Sequence, residues 1–249
     1  MLRRGLSMIA DNLKAVTQRI SMSCEKSGRL PDDVKLICVT KEASLDQIGE
    51  ALTLGVKDIG ENRVQNAASK YKMIGDKATW HLIGHLQTNK VKEAVRIFSF
   101  IHSVDSIRLA KEIDREAKKA GKVQDILVQV NTSGEKSKFG LSPNEIAAFF
   151  KEVSLYSNIS ISGLMTIAPS LDKSSGWCHE QSQRTPEVDD PEEVRPYFRK
   201  LRELRDEMNS LKLKAYSLQL SMGMTNDFEV AIEEGATMVR VGRAIFGEK

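Results

Sequence analysis

Short apolar runs alternate with amphipathic stretches along almost the whole chain. Residues 34–40 are rich in aliphatic and β-branched side chains, which predicts a buried strand. Residues 45–54 repeat apolar positions with a helical period and stop at Gly55. The same alternation predicts further strands at 58–62, 79–84, 98–104, 125–131, 159–167, 215–220 and 238–241. The predicted helices between them span 64–73, 89–95, 107–120, 142–156, 191–211 and 227–234.

A separate helix precedes this alternation. Residues 6–26 carry apolar side chains at helical spacing, and the segment ends before Gly28 and Pro31. Eight strand–helix units in about 215 residues, with the short stub after the eighth strand counted as the last helix, favour a (β/α)8 barrel over an open doubly wound sheet. No glycine fingerprint of a dinucleotide-binding fold follows the first strand. We therefore predict an α/β fold, a (β/α)8 TIM barrel with an extra N-terminal helix that covers its floor or flank.

One segment interrupts the alternation after the sixth predicted strand. Residues 169–190 are rich in Ser, Asp, Gln and Pro, contain a single Trp and show no periodicity. Such a composition predicts a flexible insertion loop. We expect one domain, residues 1–249, with this insertion on its surface.

The composition excludes several classes of protein. The chain has 249 residues, 41% hydrophobic and 29% charged, and its net charge of +3 comes from interspersed acids and bases. This pattern does not predict a nucleic-acid-binding surface. Three cysteines, Cys24, Cys38 and Cys178, share no short spacing, which fits a reducing compartment. No apolar run approaches the roughly 20 residues of a membrane span. We expect a cytoplasmic protein that binds neither nucleic acid nor membrane.

The first candidate for chemistry is Lys41, which follows the first predicted strand. Side chains alternate along a strand, so Ile37, Val39 and Lys41 share one face. If that face points into the barrel, desolvation readily depresses a lysine pKa and makes the amine a usable nucleophile. A lysine in a loop that points to solvent is the alternative, and the pattern alone leaves both open.

The last thirty residues favour the first interpretation, because they predict a phosphate site. Phosphate sites in such barrels are often built from the loops after strands seven and eight. Residues 221–226 supply hydroxyl and backbone N–H groups before a predicted helix, and Arg240 and Gly242 share one face of the eighth strand. Turn formation alone explains Gly223 and Gly242 but not Arg240. A lysine opposite a phosphate site indicates a phosphorylated carbonyl ligand held as a Schiff base.

Seven blocks, in order across nearly the whole chain, resemble the pyridoxal phosphate homeostasis protein family. They lie at 39–41, 60–65, 80–90, 129–135, 163–166, 220–225 and 239–247. The resemblance implies a barrel similar to the N-terminal domain of alanine racemase and to bacterial ornithine decarboxylase, with pyridoxal 5'-phosphate (PLP) as cofactor. It implies that Lys41 is the Schiff-base lysine, that Asn62 lies near the cofactor and that Met165 lies close to its ring. It also implies a phosphate cup, formed by Ser221, Gly223, Thr225, Arg240 and Gly242.

The chain departs from the family pattern at two places. The segment 169–190 is longer than in most members, and Met224-Thr225 replaces a more usual serine while keeping a hydroxyl group. Other polar residues near strand ends have two interpretations each. His81, His85 and His102 are candidates for a catalytic base. We expect His81 to be a satisfied core or flank histidine, and His85 has the better claim to line the mouth. Glu61 and Asp105 are either acids that orient residues of the site or ordinary loop acids. Lys136 and Lys138 are either amines that receive or hand over the aldehyde or ordinary solvated charges.

Two classes of function remain. The first is a PLP-dependent amino-acid racemase or decarboxylase, which needs a second acid or base supplied by an appended domain and a partner subunit. The second is a PLP carrier without turnover, which the resemblance implies. The chain ends at Lys249, shortly after the eighth strand, so we expect no such domain and a monomer. For a PLP carrier, PLP-dependent apo-enzymes are the candidate partners. A metal-dependent barrel enzyme is disfavoured, since no His, Asp or Glu cluster has ligand spacing.

Overall fold

Eight parallel strands form a closed barrel in the computed structural model, which describes residues 7–135, 138–169, 190–210 and 217–247. Each strand pairs with the next along the chain, and the first pairs with the last. The strands are β1 (Lys35–Val39), β2 (Asp58–Glu61), β3 (Thr79–Leu82), β4 (Phe100–Val104), β5 (Gln124–Gln129), β6 (Ile159–Met165), β7 (Gln219–Ser221) and β8 (Met238–Val241). The predicted (β/α)8 barrel is therefore confirmed.

Helices connect the strands and surround the barrel. In the described ranges they are α1 (Met8–Lys26), α2 (Leu45–Thr53), α3 (Val64–Ile74), α4 (Val91–Ile97), α5 (Ile107–Lys119), α6 (Ile146–Val153), α7 (Arg195–Ser210), α8 (Phe228–Glu233) and α9 (Arg243–Phe246). None of these described helices combines the length and apolar character that a membrane crossing requires.

The predicted extra helix, α1, is confirmed and lies on the flank of the barrel. Its apolar stripe, which includes Ile9, Val16 and Ile20, is buried against α8, α9 and α2. The Asn12 Nδ2 donates to the carbonyl of Ile245, 3.0 Å away, and ties α1 to the last helix. This contact places α1 beside α9, the helix that directly follows β8.

Two cores result from the alternation of side chains along the strands. The larger core lies between the sheet and the helices, as burial of both faces requires in a parallel sheet. The smaller one fills the barrel interior with Ile37, Leu127, Met165 and Met238, against which Phe100 packs. Ile37 therefore faces the barrel interior. The interpretation of Lys41 as a nucleophile assumed this orientation for its face of the strand.

Several element boundaries differ from the predicted ones. The fourth strand begins at Phe100 rather than 98, because the Phe98 N–H donates to Ala94 at the end of α4 and its ring is buried in the outer core. The predicted helix 142–156 begins as a 3₁₀ turn (Pro143–Glu145) with a Ser142–Glu145 capping box. Of the predicted insertion, 170–189 lie outside the described residues, as do 211–216, where the seventh strand was predicted to begin. That the chain forms one domain stays a prediction.

Candidate functional site

Arg240 lies at the carboxyl end of β8 with only 4% of its surface exposed. Its Nη1 donates to Ser221 Oγ at 2.7 Å, and its Nη2 donates to the carbonyl of Thr166 at 2.9 Å. Burial lowers the pKa of Arg240 to about 10, while the charge of Asp227 opposes that shift. Among the described residues, no carboxylate lies within ion-pair distance of the guanidinium. Within the described ranges the site therefore holds a buried cation that no carboxylate contacts directly, which favours an anionic ligand.

The turn after β7 brings backbone N–H groups beside Arg240. Gly223 has φ 90°, and a Cβ at this position would lie 2.6 Å from the Cβ of Ala231. Its carbonyl accepts a hydrogen bond from the Arg240 N–H at 3.0 Å. Within the described ranges, the N–H groups of Gly223 and Thr225 donate to no protein acceptor. Only glycine at 223 permits a turn that leaves these donors available.

One acidic side chain organises the same turn. Asp227 is buried, and its carboxylate accepts the Met224 N–H at 2.5 Å. Burial raises the pKa of Asp227, although this hydrogen bond and the charge of Arg240 lower it. The carboxylate thus fixes the turn rather than neutralising Arg240 through direct contact.

Gly242 continues β8 beyond Arg240 and lies against β1. The register pairs Ile37 with Arg240, and a Cβ at 242 would approach the carbonyl oxygen of Val39 to 3.0 Å. The Gly242 N–H has no acceptor in the part of the chain that the structure describes. Lys41 is exposed and lies two residues after Val39. The predicted Schiff-base lysine and the predicted phosphate-cup residues Arg240 and Gly242 therefore lie at or just beyond the ends of adjacent strands.

An ion pair between Lys70 and Glu61 fixes the backbone just before Lys41. The Lys70 Nζ donates to the Thr40 carbonyl at 2.5 Å and to Glu61 Oε1 at 2.7 Å. The Thr40 hydroxyl donates to the same Glu61 oxygen at 2.7 Å. Glu61 is fully buried and faces α3 rather than the barrel interior. Of its two interpretations, the structure favours an acid that orients the peptide before Lys41.

The remaining predicted cofactor residues occupy different depths. Asn62 is half-buried at the end of β2 and lines a cavity beside His85. Met165 is fully buried among the interior side chains, beneath the mouth. The structure thus brings together Arg240, Ser221, Gly223, Thr225 and Gly242, with Lys41 on the neighbouring strand end.

A line of buried polar side chains, which we call the polar column, crosses the barrel interior below Arg240. It consists of Asp58, His81, His102, Ser221 and Arg240. The Nε2 of His81 lies 2.9 Å from Asp58 Oδ1, and its Nδ1 lies 2.9 Å from His102 Nε2. The Nδ1 of His102 lies 2.9 Å from Ser221 Oγ. Asp58 begins β2 and lies 3.4 Å from the Lys35 Nζ, so the column joins the floor to the mouth.

Both imidazole rings of the polar column are neutral near pH 7, because they are buried. Burial lowers the pKa of His81, and it lowers the pKa of His102 well below its usual value. Burial alone would raise the pKa of Asp58, but the hydrogen bond from His81 and the charge of Lys35 hold it below its usual value. The sequence predicted the core position of His81 but not the column, because its members lie on different strands and meet only in the closed barrel.

Other candidates lie at the edge of the mouth. The His85 ring stacks on Phe139 with centroids 4.0 Å apart, and its Nδ1 lies 3.7 Å from Asp105 Oδ2. Burial raises the pKa of Asp105, while the charge of His85 opposes that shift. Lys138 pairs with Glu135 at 2.6 Å, and Lys136 lies outside the described residues. No group of three His, Cys, Asp or Glu side chains in the described ranges is placed to hold a metal ion.

Comparisons with known proteins agree with this geometry. The family model for the alanine racemase N-terminal domain matches residues 9–249. The pyridoxal phosphate homeostasis protein of Aquifex aeolicus is 43% identical over 243 residues, which cover 96% of this chain and 97% of that protein. The chain belongs to the pyridoxal phosphate homeostasis protein family. A mouse member is 36% identical over 264 residues, covering 99% of this chain and 90% of its own length.

Solved structures extend the comparison to the family's fold. PipY of Synechococcus elongatus, with PLP bound, is 33% identical, has a TM-score of 0.78, and is matched over 96% of this chain and 100% of its own. An alanine racemase of Clostridium difficile is 17% identical with a TM-score of 0.67, over 96% of this chain and 57% of its own, and shows the fold alone. The family and the racemase-type barrel predicted from the sequence are therefore confirmed.

Proposed function

We propose that this protein binds PLP covalently through Lys41 and serves the homeostasis of that cofactor without catalytic turnover. The proposal rests above all on Arg240, a buried cation without a protein counterion in the described ranges. It is supported by the backbone N–H groups beside Arg240. The name of the Aquifex aeolicus relative and the PLP bound in the PipY structure also support it.

The residues present fit the chemistry of PLP. Arg240 and the N–H groups of Gly223, Thr225 and Gly242 would hold the phosphate, since charged and backbone donors are preferred partners of phosphate oxygens. The Lys41 amine, on the adjacent strand end, would hold the aldehyde. PLP supplies an aldehyde that condenses with amines and a ring that withdraws electrons. Asn62 and Met165 are the remaining residues that we place near the cofactor.

A carrier role agrees with how the acidic groups of the mouth are used. Glu61 is turned outward to Lys70, and Asp227 accepts the Met224 N–H, so each of these carboxylates already has a structural role. The natural recipients of a carried PLP are PLP-dependent apo-enzymes. The alternative function, an amino-acid racemase or decarboxylase, is favoured by the racemase-type fold. Turnover of alanine or serine at ordinary enzyme rates, about 1–10³ s⁻¹, would replace the carrier proposal.

The direct test is the visible spectrum of the purified full chain after addition of PLP. We expect a yellow protein whose absorbance is removed by borohydride, with the reduced cofactor mapped by peptide analysis to Lys41. Lys41→Ala should abolish the covalent label, whereas Lys57→Ala, an exposed lysine before β2, should retain it. A protein that stays colourless with PLP, or a label on another lysine, would contradict the proposal.

A second test separates the phosphate contact from the covalent bond. Arg240→Gln removes the charge but keeps a hydrogen-bonding side chain, and we expect PLP to dissociate about 10- to 100-fold faster. Arg96→Gln, at an exposed arginine of α4, is the matched control and should leave the rate unchanged. Equal dissociation rates for both variants would show that backbone donors alone retain the phosphate.

A further inference from the structure

A cavity of about 430 Å³ opens between the turn after β2 and the turn after β3. We call it the amide cavity, because its lining includes the amide side chains of Asn62, Gln65, Asn66 and Gln87. The other polar residues that line it are Arg63, Lys90 and His85. Both turns follow carboxyl ends of neighbouring strands, so the cavity lies on the side of the barrel that carries Lys41 and Arg240. Apart from Asn62, it shares no residue with the proposed cofactor site.

The walls of the amide cavity are fixed by close packing. A Cβ at position 84 would lie 2.3 Å from the Asn62 carbonyl oxygen, so only glycine lets the two turns meet this closely. Val64 and Leu86, which also line the cavity, are 4% and 2% exposed and belong to the outer core. The cavity is therefore built into the fold, and its volume lies within the usual range for small-molecule sites, about 300–1,000 Å³.

The charge at the amide cavity is positive and uncompensated. No carboxylate lines it, and neither Arg63 nor Lys90 has an acidic partner in the described ranges. His85 completes the lining, and its one acidic neighbour is Asp105, 3.7 Å away. By contrast, Arg195 is paired with two carboxylates, Glu233 at 2.6 Å and Glu234 at 3.2 Å. Two unpaired cations at one cavity favour an anion.

The amides extend this preference to a polar molecule rather than a bare ion. The side chains of Asn62, Gln65, Asn66 and Gln87 make no hydrogen bond to any other described residue. Each amide offers two N–H donors and an acceptor oxygen, so together they match hydroxyl, amino or carbonyl groups of a ligand. Gln65, Asn66 and Gln87 are exposed and Asn62 is half-buried, so these groups are accessible to a ligand that enters the cavity.

We propose that the amide cavity is a second binding site, which takes a small polar molecule through its carboxylate or phosphate group. Arg63 and Lys90 bind the anionic group, and the amides bind the rest of the molecule. The site goes beyond the proposed cofactor function and does not require Lys41 or Arg240.

Side-chain amide signals of the ¹⁵N-labelled full chain test this proposal directly. Inorganic phosphate and succinate are titrated separately at constant ionic strength, with ethylammonium chloride as a cationic probe. We expect saturable shifts of the NH₂ signals of Gln65, Asn66 and Gln87 with at least one anion and none with ethylammonium. Saturation by phosphate alone identifies a phosphate ligand, and saturation by succinate alone identifies a carboxylate.

Three sets of variants make the result specific. Arg63→Gln combined with Lys90→Gln should weaken binding by about tenfold or more, because both charge-assisted contacts are lost. Lys72→Gln combined with Lys92→Gln also removes two positive charges, one from α3 and one from α4 outside the cavity, and should leave the affinity unchanged. Arg240→Gln should also leave it unchanged, so that loss of the cofactor site is distinguished from loss of this one.

Two results would overturn the proposal. The first is a set of shifts that stay linear in anion concentration. The second is a saturable response that the Arg63→Gln, Lys90→Gln protein retains in full. If that double variant fails to fold, as its backbone spectrum would show, Lys90→Gln alone serves, with Lys92→Gln as its control.

Discussion

The Nδ1 of His81 lies 2.9 Å from the Nε2 of His102 in the interior of the barrel. With both rings neutral and Asp58 ionised, the polar column has one consistent arrangement of protons. His81 must donate from Nε2 to Asp58, so its Nδ1 accepts from His102 Nε2–H. The His102 Nδ1 then accepts from the Ser221 hydroxyl, whose oxygen accepts from Arg240. Every hydrogen bond therefore points from the mouth to the floor.

This arrangement predicts the tautomer of both histidines. We expect His81 and His102 to carry their proton on Nε2 at pH 7, because each Nδ1 is an acceptor. Long-range ¹H–¹⁵N spectra of the imidazole rings measure this directly, since protonated and unprotonated ring nitrogens differ widely in shift. A proton on Nδ1 of either ring would show that the column runs in the opposite direction or is broken.

The burial of His81 and His102 predicts how the stability of the protein depends on pH. The pKa values of His81 and His102 are lowered in the folded state, so the unfolded chain binds protons first as the pH falls. The stabilising contribution is complete above the unfolded value, about 6.5, and declines below it by about 1.4 kcal/mol per pH unit for each histidine. We expect the free energy of unfolding, measured by urea denaturation, to fall from pH 6.5 towards pH 5.

Two variants test whether the buried rings cause this slope. His102→Gln removes one of the two titrating rings and should reduce the slope by about half, whatever its effect on absolute stability. His85→Gln removes the histidine that stacks on Phe139 at the surface and serves as the comparison variant outside the polar column. A free energy of unfolding that is constant between pH 6.5 and pH 5 would exclude this account.

The fold was predictable because its signal is repeated. Eight apolar runs separated by amphipathic helices specify a parallel barrel even where single boundaries shift, as at Phe98 and Ser142. Closure of the sheet then places the ends of β1 and β8 side by side, so Lys41 and Gly242 follow neighbouring strand ends.

The polar column was not predictable from local patterns. His102 lies in a strand where any inward residue is buried, and a single sequence does not reveal which polar residues will meet across a barrel. Ser221 is separated from His102 by 119 positions, and only the closed sheet brings them into contact. The orientation of Glu61 was likewise open, because a strand end exposes both an inward and an outward face, and its partner Lys70 lies on a helix.

The buried ion pair between Lys70 and Glu61 predicts a large loss of stability when Lys70 is replaced. Lys70→Met leaves the fully buried Glu61 without a counterion, and we expect a loss of about 3–5 kcal/mol in the free energy of unfolding. Denaturant unfolding of Lys72→Met, an exposed position on the same helix, provides the control. Adding Glu61→Gln to Lys70→Met should recover part of the loss, because a neutral amide replaces the stranded carboxylate. Equal stability of the Lys70 and Lys72 variants would contradict a structural role for the pair.

The turn that carries the phosphate cup predicts a matched pair of glycine substitutions. Gly223→Ala places a methyl group 2.6 Å from the Ala231 Cβ and 2.9 Å from the Phe228 Cα, at a φ of 90°. Gly28→Ala, at a φ of 66°, meets no atom within 4 Å, so it isolates the cost of the backbone conformation. We expect about 1 kcal/mol for Gly28→Ala.

For Gly223→Ala we expect a clearly larger loss of stability in the same urea denaturation experiment, because the turn must move away from α8. That movement also displaces the N–H groups of Gly223 and Thr225, so the variant should release PLP faster than Gly28→Ala does. If the two alanine variants are equally stable and retain PLP equally well, close packing of this turn against α8 is not what positions the donors of the phosphate cup.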